Sequence, residues 1–181
     1  MAGWSALNPS EQNFAGQLVP GSLIGSAAVA IVASRAYVVR YVATKTRAIT
    51  KINFPLAVAA ASNDNCDVGI FDSTLTTLLG SAGSTAGKLN ASAPSVQQLT
   101  LTGTVNQVAG TAYYAAFAAG TFGGSAAQLV GTNNGSAIVS QLFGSTAGTQ
   151  TLGFQASAFP LAAPFTHGGA IGNCPILALV E

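Results

Sequence analysis

The sequence predicts an all-β domain of antiparallel strands, and two observations carry that expectation. Bursts of β-branched and aromatic residues recur along the chain, separated by Gly, Asn or Pro, in a background of Ala, Gly, Ser and Thr that includes 21 glycines. This is the punctuation of short strands joined by turns, not of helices or of a disordered chain. Several bursts also alternate with period two, most cleanly over 96–102, where Leu99 and Leu101 point one way and Gln98, Thr100 and Thr102 the other. At 181 residues the chain supports one sizeable core and falls short of two ordinary domains. The expected division is an extended N-terminal arm over 1–22 and one β-domain over 23–181.

The arm carries Trp4, Pro9, Phe14 and Pro20 among Asn, Gln, Ser and Gly, with no sustained period. Trp4 and Phe14 are costly to leave in water, so they are expected to anchor the arm, on a neighbouring subunit or on its own domain. Leu23 to Thr44 holds one long or two short strands, 27–33 and 37–42, with Tyr37, Val39 and Tyr41 on one face and Val38, Arg40 and Val42 on the other. Thr46 to Phe54 continues in the same style, Pro55 is expected to interrupt the ladder at an edge or bulge, and Leu56 to Ala61 resumes it. Ser62 to Asn65 is a polar turn. It leads into a hairpin over 67–79: Val68 and Ile70 share a face, Asp72-Ser73-Thr74 supplies turn chemistry, and a Thr/Leu-rich run pairs back. Gly80 to Ala93 reads as a mobile loop.

The alternating strand near Val96 is followed by a turn over 105–110. In the next strand, 111–119, Tyr113 and Phe117 take one face and Tyr114 the other, with alanines between, as suits a strand packed on both sides. Asn134-Gly135 marks a turn between Leu129-Val130 and Ile138-Val139, although 137–144 also suits one helical turn. Strands over 149–161 and 176–180, flanking an irregular loop from Pro164 to Pro175, close the domain. Eight or more strands spaced by turns suit an antiparallel, jelly-roll-like β-sandwich.

Charge is the compositional anomaly: 49% of residues are hydrophobic and only 6% charged, against roughly 25% in an average soluble domain. A membrane or burial against other subunits would account for it. The most apolar run, 23–33, includes Gly25 and Ser26 and is far shorter than the roughly 20 residues of a spanning helix. No Lys or Arg precedes Arg35, so a secretory signal is not expected either. Burial in an assembly is the remaining expectation. A net charge of +1 provides no global field for nucleic acid or an anionic membrane. Cys66 and Cys174 are the only thiols, and either one disulfide or two buried free cysteines fits them.

Three segments together resemble the jelly-roll sandwich domains of tailed-bacteriophage virion proteins: Asp67-Val68-Gly69-Ile70-Phe71-Asp72, Gln98-Leu99-Thr100-Leu101 and Gly110-Thr111-Ala112-Tyr113-Tyr114. The resemblance spans roughly 49–119 and is one of strand pattern, shared in part with sugar-binding modules. It implies a structural or receptor-facing role in tail, fibre or capsid decoration, hence a place in the virion after assembly in the host cytoplasm.

Five of the six basic residues, Arg35, Arg40, Lys45, Arg47 and Lys51, fall in one segment. Extended geometry puts Lys45, Arg47 and Lys51 on one face, as an assembly contact or a strand edge guarded by charge. No nucleic-acid-binding motif accompanies them. Asn63, Asp64, Asn65, Asp67 and Asp72 could offer oxygen ligands to calcium, but the EF-hand spacing is missing, and turn capping explains them. His167 is the only histidine, and neither Gly-x-Ser-x-Gly nor a phosphate-binding loop is present. The five carboxylates, Glu11, Asp64, Asp67, Asp72 and Glu181, give no acid–base pair of glycosidase type. The expectation is therefore a non-enzyme without cofactor or metal. It would form a homo-oligomer, a trimer, and meet major capsid or tail proteins through Trp4, Phe14 and low-charge sheet faces. A carbohydrate-binding module for a host glycan is the alternative, with Phe71, Tyr113 and Tyr114 as platform rings if they face solvent.

Overall fold

The computed structural model describes residues 14–15, 27–133, 152–166, 168–170 and 173–181. Among them are thirteen strands and no helix, as the alternation predicts. In chain order these are β1 Phe14–Ala15, β2 Ala27–Ala30, β3 Ala36–Val42, β4 Arg47–Val58, β5 Cys66–Phe71, β6 Leu78–Ser81 and β7 Ser95–Gln107. β8 Ala112–Ala119, β9 Gln128–Asn133, β10 Leu152–Gln155, β11 Gly169–Ala170, β12 Asn173–Pro175 and β13 Leu177–Val180 complete the set.

Two antiparallel sheets result. The first runs β1-β13-β4-β9-β12, with β7 also on β4 and β2 also on β9; the second runs β11-β10-β3-β8-β5-β6. Successive strands lie in different sheets at β2–β3, β3–β4, β4–β5, β6–β7, β7–β8, β8–β9, β9–β10 and β11–β12, so most pairings join distant segments. Thr102 of β7 donates its hydroxyl to the carbonyl of Ser81 in β6 at 2.8 Å, which brings an edge of the second sheet against the first.

Side chains from both sheets interdigitate between them. Ile49, Ile52, Phe54, Leu56, Leu99 and Leu129 of the first sheet meet Tyr37, Val68, Ile70 and Phe117 of the second. Phe54 and Phe117 join the layers edge to face at 5.1 Å, the arrangement that aromatic quadrupoles favour. The faces expected for β3, β7 and β8 are those observed: Tyr37, Val39, Tyr41, Tyr113 and Phe117 enter this core, whereas Val38 and Tyr114 belong to a second cluster on the far side of the sheet.

That second cluster is covered by 156–166, which follows β10. Leu161 and Phe165 from this segment pack on Ala36, Val38, Phe71, Leu75, Tyr114, Ala116 and Ala118, with Phe165 edge to face on Phe71 at 5.7 Å. The cover lies so close that a Cβ added to Gly69 would stand 2.9 Å from the Gly80 carbonyl and 3.0 Å from Leu161 Cδ1. Glycine at 69 is what allows the approach.

Several expected boundaries move. β4 does not break at Pro55, which pairs with Val96 inside an internal strand. The proline is tolerated because it falls between residues 51–53, paired to β13, and Leu56 and Val58, paired to β9 across a register shift. Gly80 and Ser81 belong to β6, and the loop after them is tied down by fully buried Leu89, whose carbonyl accepts the Ala60 N–H at 2.8 Å. β7 runs on to Gln107, so the turn starts later than Val105. β10 stops at Gln155, so 156–161 is cover and not strand, and the late loop contains β11 and β12. The Asn134-Gly135 turn and the 137–144 segment lie outside the described residues.

Candidate functional site

The five basic residues do not form one patch. Arg35 precedes β3 and lies over the Phe154 ring at 4.3 Å, a cation–π contact. Arg40 sits in β3 directly opposite Tyr114 on the far side of the second sheet, and Lys45 is exposed in the β3–β4 connection. Arg47 and Lys51 belong to the other sheet, and a bulge between Ile49 and Lys51 turns them to opposite faces. The expected shared face of Lys45, Arg47 and Lys51 is thus corrected: one extra residue in β4 reverses the alternation.

Arg47 instead turns inward, to a small polar group at one end of the sandwich. It approaches Glu181 at 4.0 Å, while Gln107, opposite it in register, donates its Nε2 to the Tyr41 hydroxyl. Tyr41 stacks on Tyr113 at 5.9 Å, and the Tyr113 hydroxyl accepts the Val108 N–H at 3.0 Å. Burial first, then Tyr113, drives the Tyr41 hydroxyl far above its ordinary range, opposed by Arg47 and Gln107. A phenol held neutral in this way is a structural hydrogen-bond partner and not a base at physiological pH.

The Asx residues of 63–72 also separate. Asp64 accepts the Ser62 hydroxyl on both oxygens, at 2.8 and 2.9 Å, and the Gly123 N–H at 3.1 Å, tying two loops together. Asn65 donates to Ser84 Oγ at 2.9 Å. Asp72 caps its turn, accepting the N–H groups of Thr74 and Thr76 and both their hydroxyls. Despite some desolvation, these bonds hold its carboxyl below the usual range. Among the described residues no three His, Cys, Asp or Glu side chains gather as metal ligands.

Asp67 is different. It is fully buried on the covered face of the second sheet. Leu161 N–H donates to Oδ2 at 3.0 Å, and Oδ1 has no hydrogen-bond partner. Burial pushes this carboxyl up to about 6, and the nearby N–H groups of Leu161, Gly83, Val68 and Ala82 only partly offset the rise. Cys66 beside it is a buried free thiol, pushed up to about 12 by burial and by Asp67, with Lys88 opposing, and is inert as a nucleophile.

The rings considered for a glycan do not face solvent: Phe71 and Tyr114 are fully buried and Tyr113 nearly so. Tyr114, opposite Arg40, is pushed up to about 12 by burial. Phe14 lies in β1, whose backbone pairs with Leu177 and Ala178 of this same chain. Trp4 and His167 lie outside the described residues.

Among the described residues, nothing covers the outer face of the first sheet. Register places Val96, Gln98 and Thr100 of β7 beside Pro55, Asn53 and Lys51 of β4, with Ala178 and Val180 of β13 beyond. Val96 is 68% exposed, the others half-buried or exposed. Arg47 and Lys51 are the only charged residues in the seven strands of this sheet, and Arg47 faces inward, so Lys51 alone charges the outer face. The alternation near Val96 was the sequence signal for this face. The neighbours that β4 and β13 contribute became visible only through the pairing.

No known protein-family model matches the chain, and no curated protein is significantly similar to it.

Proposed function

We propose that the chain is a non-enzymatic structural subunit of a bacteriophage particle. It is a jelly-roll-like capsid-decoration or tail/fibre component that assembles with copies of itself, as a trimer, and with neighbouring virion proteins. The observation that carries this reading is the face of the first sheet that the described residues leave open, a pleated surface on which Val96, Pro55, Ala178 and Val180 alternate with the uncharged polar Gln98, Thr100 and Asn53 and on which Lys51 is the one charge. With a single charge the face avoids the largest dehydration cost, Gln98 and Asn53 already satisfy part of each other's hydrogen bonding, and burying the apolar part yields roughly 25 cal/mol per Å² before the costs of association. The small side chain of Ala178, beside Asn53, permits close approach of a second backbone. The strand-pattern resemblance supports the choice of a phage particle as the setting.

Light scattering over a dilution series is the test. The wild-type chain is expected at about three chain masses, and Val96→Glu, which places a charge on the open face, at one. A wild-type chain that stays monomeric at every concentration overturns the reading. Recovery of the chain in purified phage particles, reduced by Val96→Glu, tests the setting; its absence from particles overturns the virion role.

A further inference from the structure

The segment 156–166 is a strap. It is anchored at its ends by backbone bonds, Ala158 N–H to the Ser34 carbonyl at 2.9 Å and Phe165 N–H to the Leu75 carbonyl at 2.8 Å. Midway, Leu161 N–H donates to the carboxylate of Asp67 at 3.0 Å. Beneath the strap lies an apolar floor of Phe71, Leu75, Ala116 and Ala118. A backbone carbonyl could have accepted the Leu161 N–H at no electrostatic cost. A carboxylate there, fully buried and with one oxygen unpartnered, makes the closed strap sensitive to charge.

We propose that Asp67 is a proton-controlled latch: with the carboxyl protonated the strap closes over the second sheet, and with it ionised the strap opens and bares the Phe71 floor. The device stands whether or not the chain assembles in a particle. No residue of 156–166 is titratable. From the sheet, Tyr114 and Arg40 share the covered face but sit at its other end, since Asp67 is opposite Ala118 whereas Tyr114 is opposite Phe71. Cys66 points into the core between the sheets, and Lys88 acts on that thiol. The rise of the Asp67 carboxyl to about 6 comes from burial, with no charged neighbour contributing. Because the closed strap holds the proton more tightly than the open one, closure is favoured most below the ordinary carboxyl value of 3.8 and weakens as pH rises to about 6.

Amide hydrogen exchange at Leu161 in the full chain, corrected for the intrinsic pH dependence of exchange, reads the opening directly. From about pH 5 to about pH 7.5 the open fraction is expected to rise about tenfold and then level off, whereas Ala60, bonded to the Leu89 carbonyl, shows no such rise. Asp67→Asn is expected to flatten the Leu161 profile, and Asp72→Asn to leave it unchanged. A flat wild-type profile, or a rise that survives in Asp67→Asn, overturns the latch. Should Asp67→Asn fail to fold, the wild-type profile measured beside Asp72→Asn decides alone.

Discussion

The two sheets share one core and differ in what lies on their backs. In the second sheet β5 is buried at every position and β8 at all but its first, because the strap covers the face turned away from the core. In the first sheet β7 alternates between buried and exposed along most of its length, because nothing in the described chain covers its outer face. The residues follow the difference. The doubly covered strands read as near-continuous apolar runs, Cys66-Asp67-Val68-Gly69-Ile70-Phe71 and Ala112 to Ala119, whereas β7 interleaves Gln and Thr with Leu. An apolar strand that does not alternate is therefore a sign of a cover, and a charged residue within it, here Asp67, is the anomaly to explain.

The largest loss is expected at the shared core. Phe117→Ala removes a fully buried ring that contacts Phe54 of the opposite sheet, and it is expected to cost about 3–5 kcal/mol in urea denaturation. A loss below about 1 kcal/mol would mean that the layers do not meet there. Phe165→Ala strips the strap of its ring on Phe71. It is expected to cost about 2–3 kcal/mol, with faster exchange at the Leu161 amide than at Ala60. Equal acceleration at both amides would show that strap and core unfold as one unit. The smallest effect belongs to the open face: Val96→Ser, at a position 68% exposed, is expected to change monomer stability by less than about 0.5 kcal/mol. A larger loss would mean that this face is already covered within the chain.

Some of this was legible in advance and some was not, for particular reasons. The faces of Tyr37, Tyr41, Leu99, Leu101, Tyr113 and Phe117 were readable because period-two alternation is a local property of the backbone. The Asp72 turn was readable because its bonds reach no farther than Thr77. Arg47 was misplaced because a bulge in β4 is set by its pairing with β7, some fifty residues away. Phe71 and Tyr114 remained open between glycan platform and core because alternation shows only that two faces exist. What covers the second face is a strap roughly forty to ninety residues farther along the chain.

The sequence by itself thus determined the all-β class, the alternation of the principal strands and the scarcity of charge, since these depend on side-chain period and composition alone. Only the tertiary structure decided that β4 would run through Pro55 at a change of neighbours, that Arg47 would turn inward, and that Asp67 would lie beneath Leu161. Each of those follows from which distant segment packs against which face, and no local pattern encodes the identity of a neighbour.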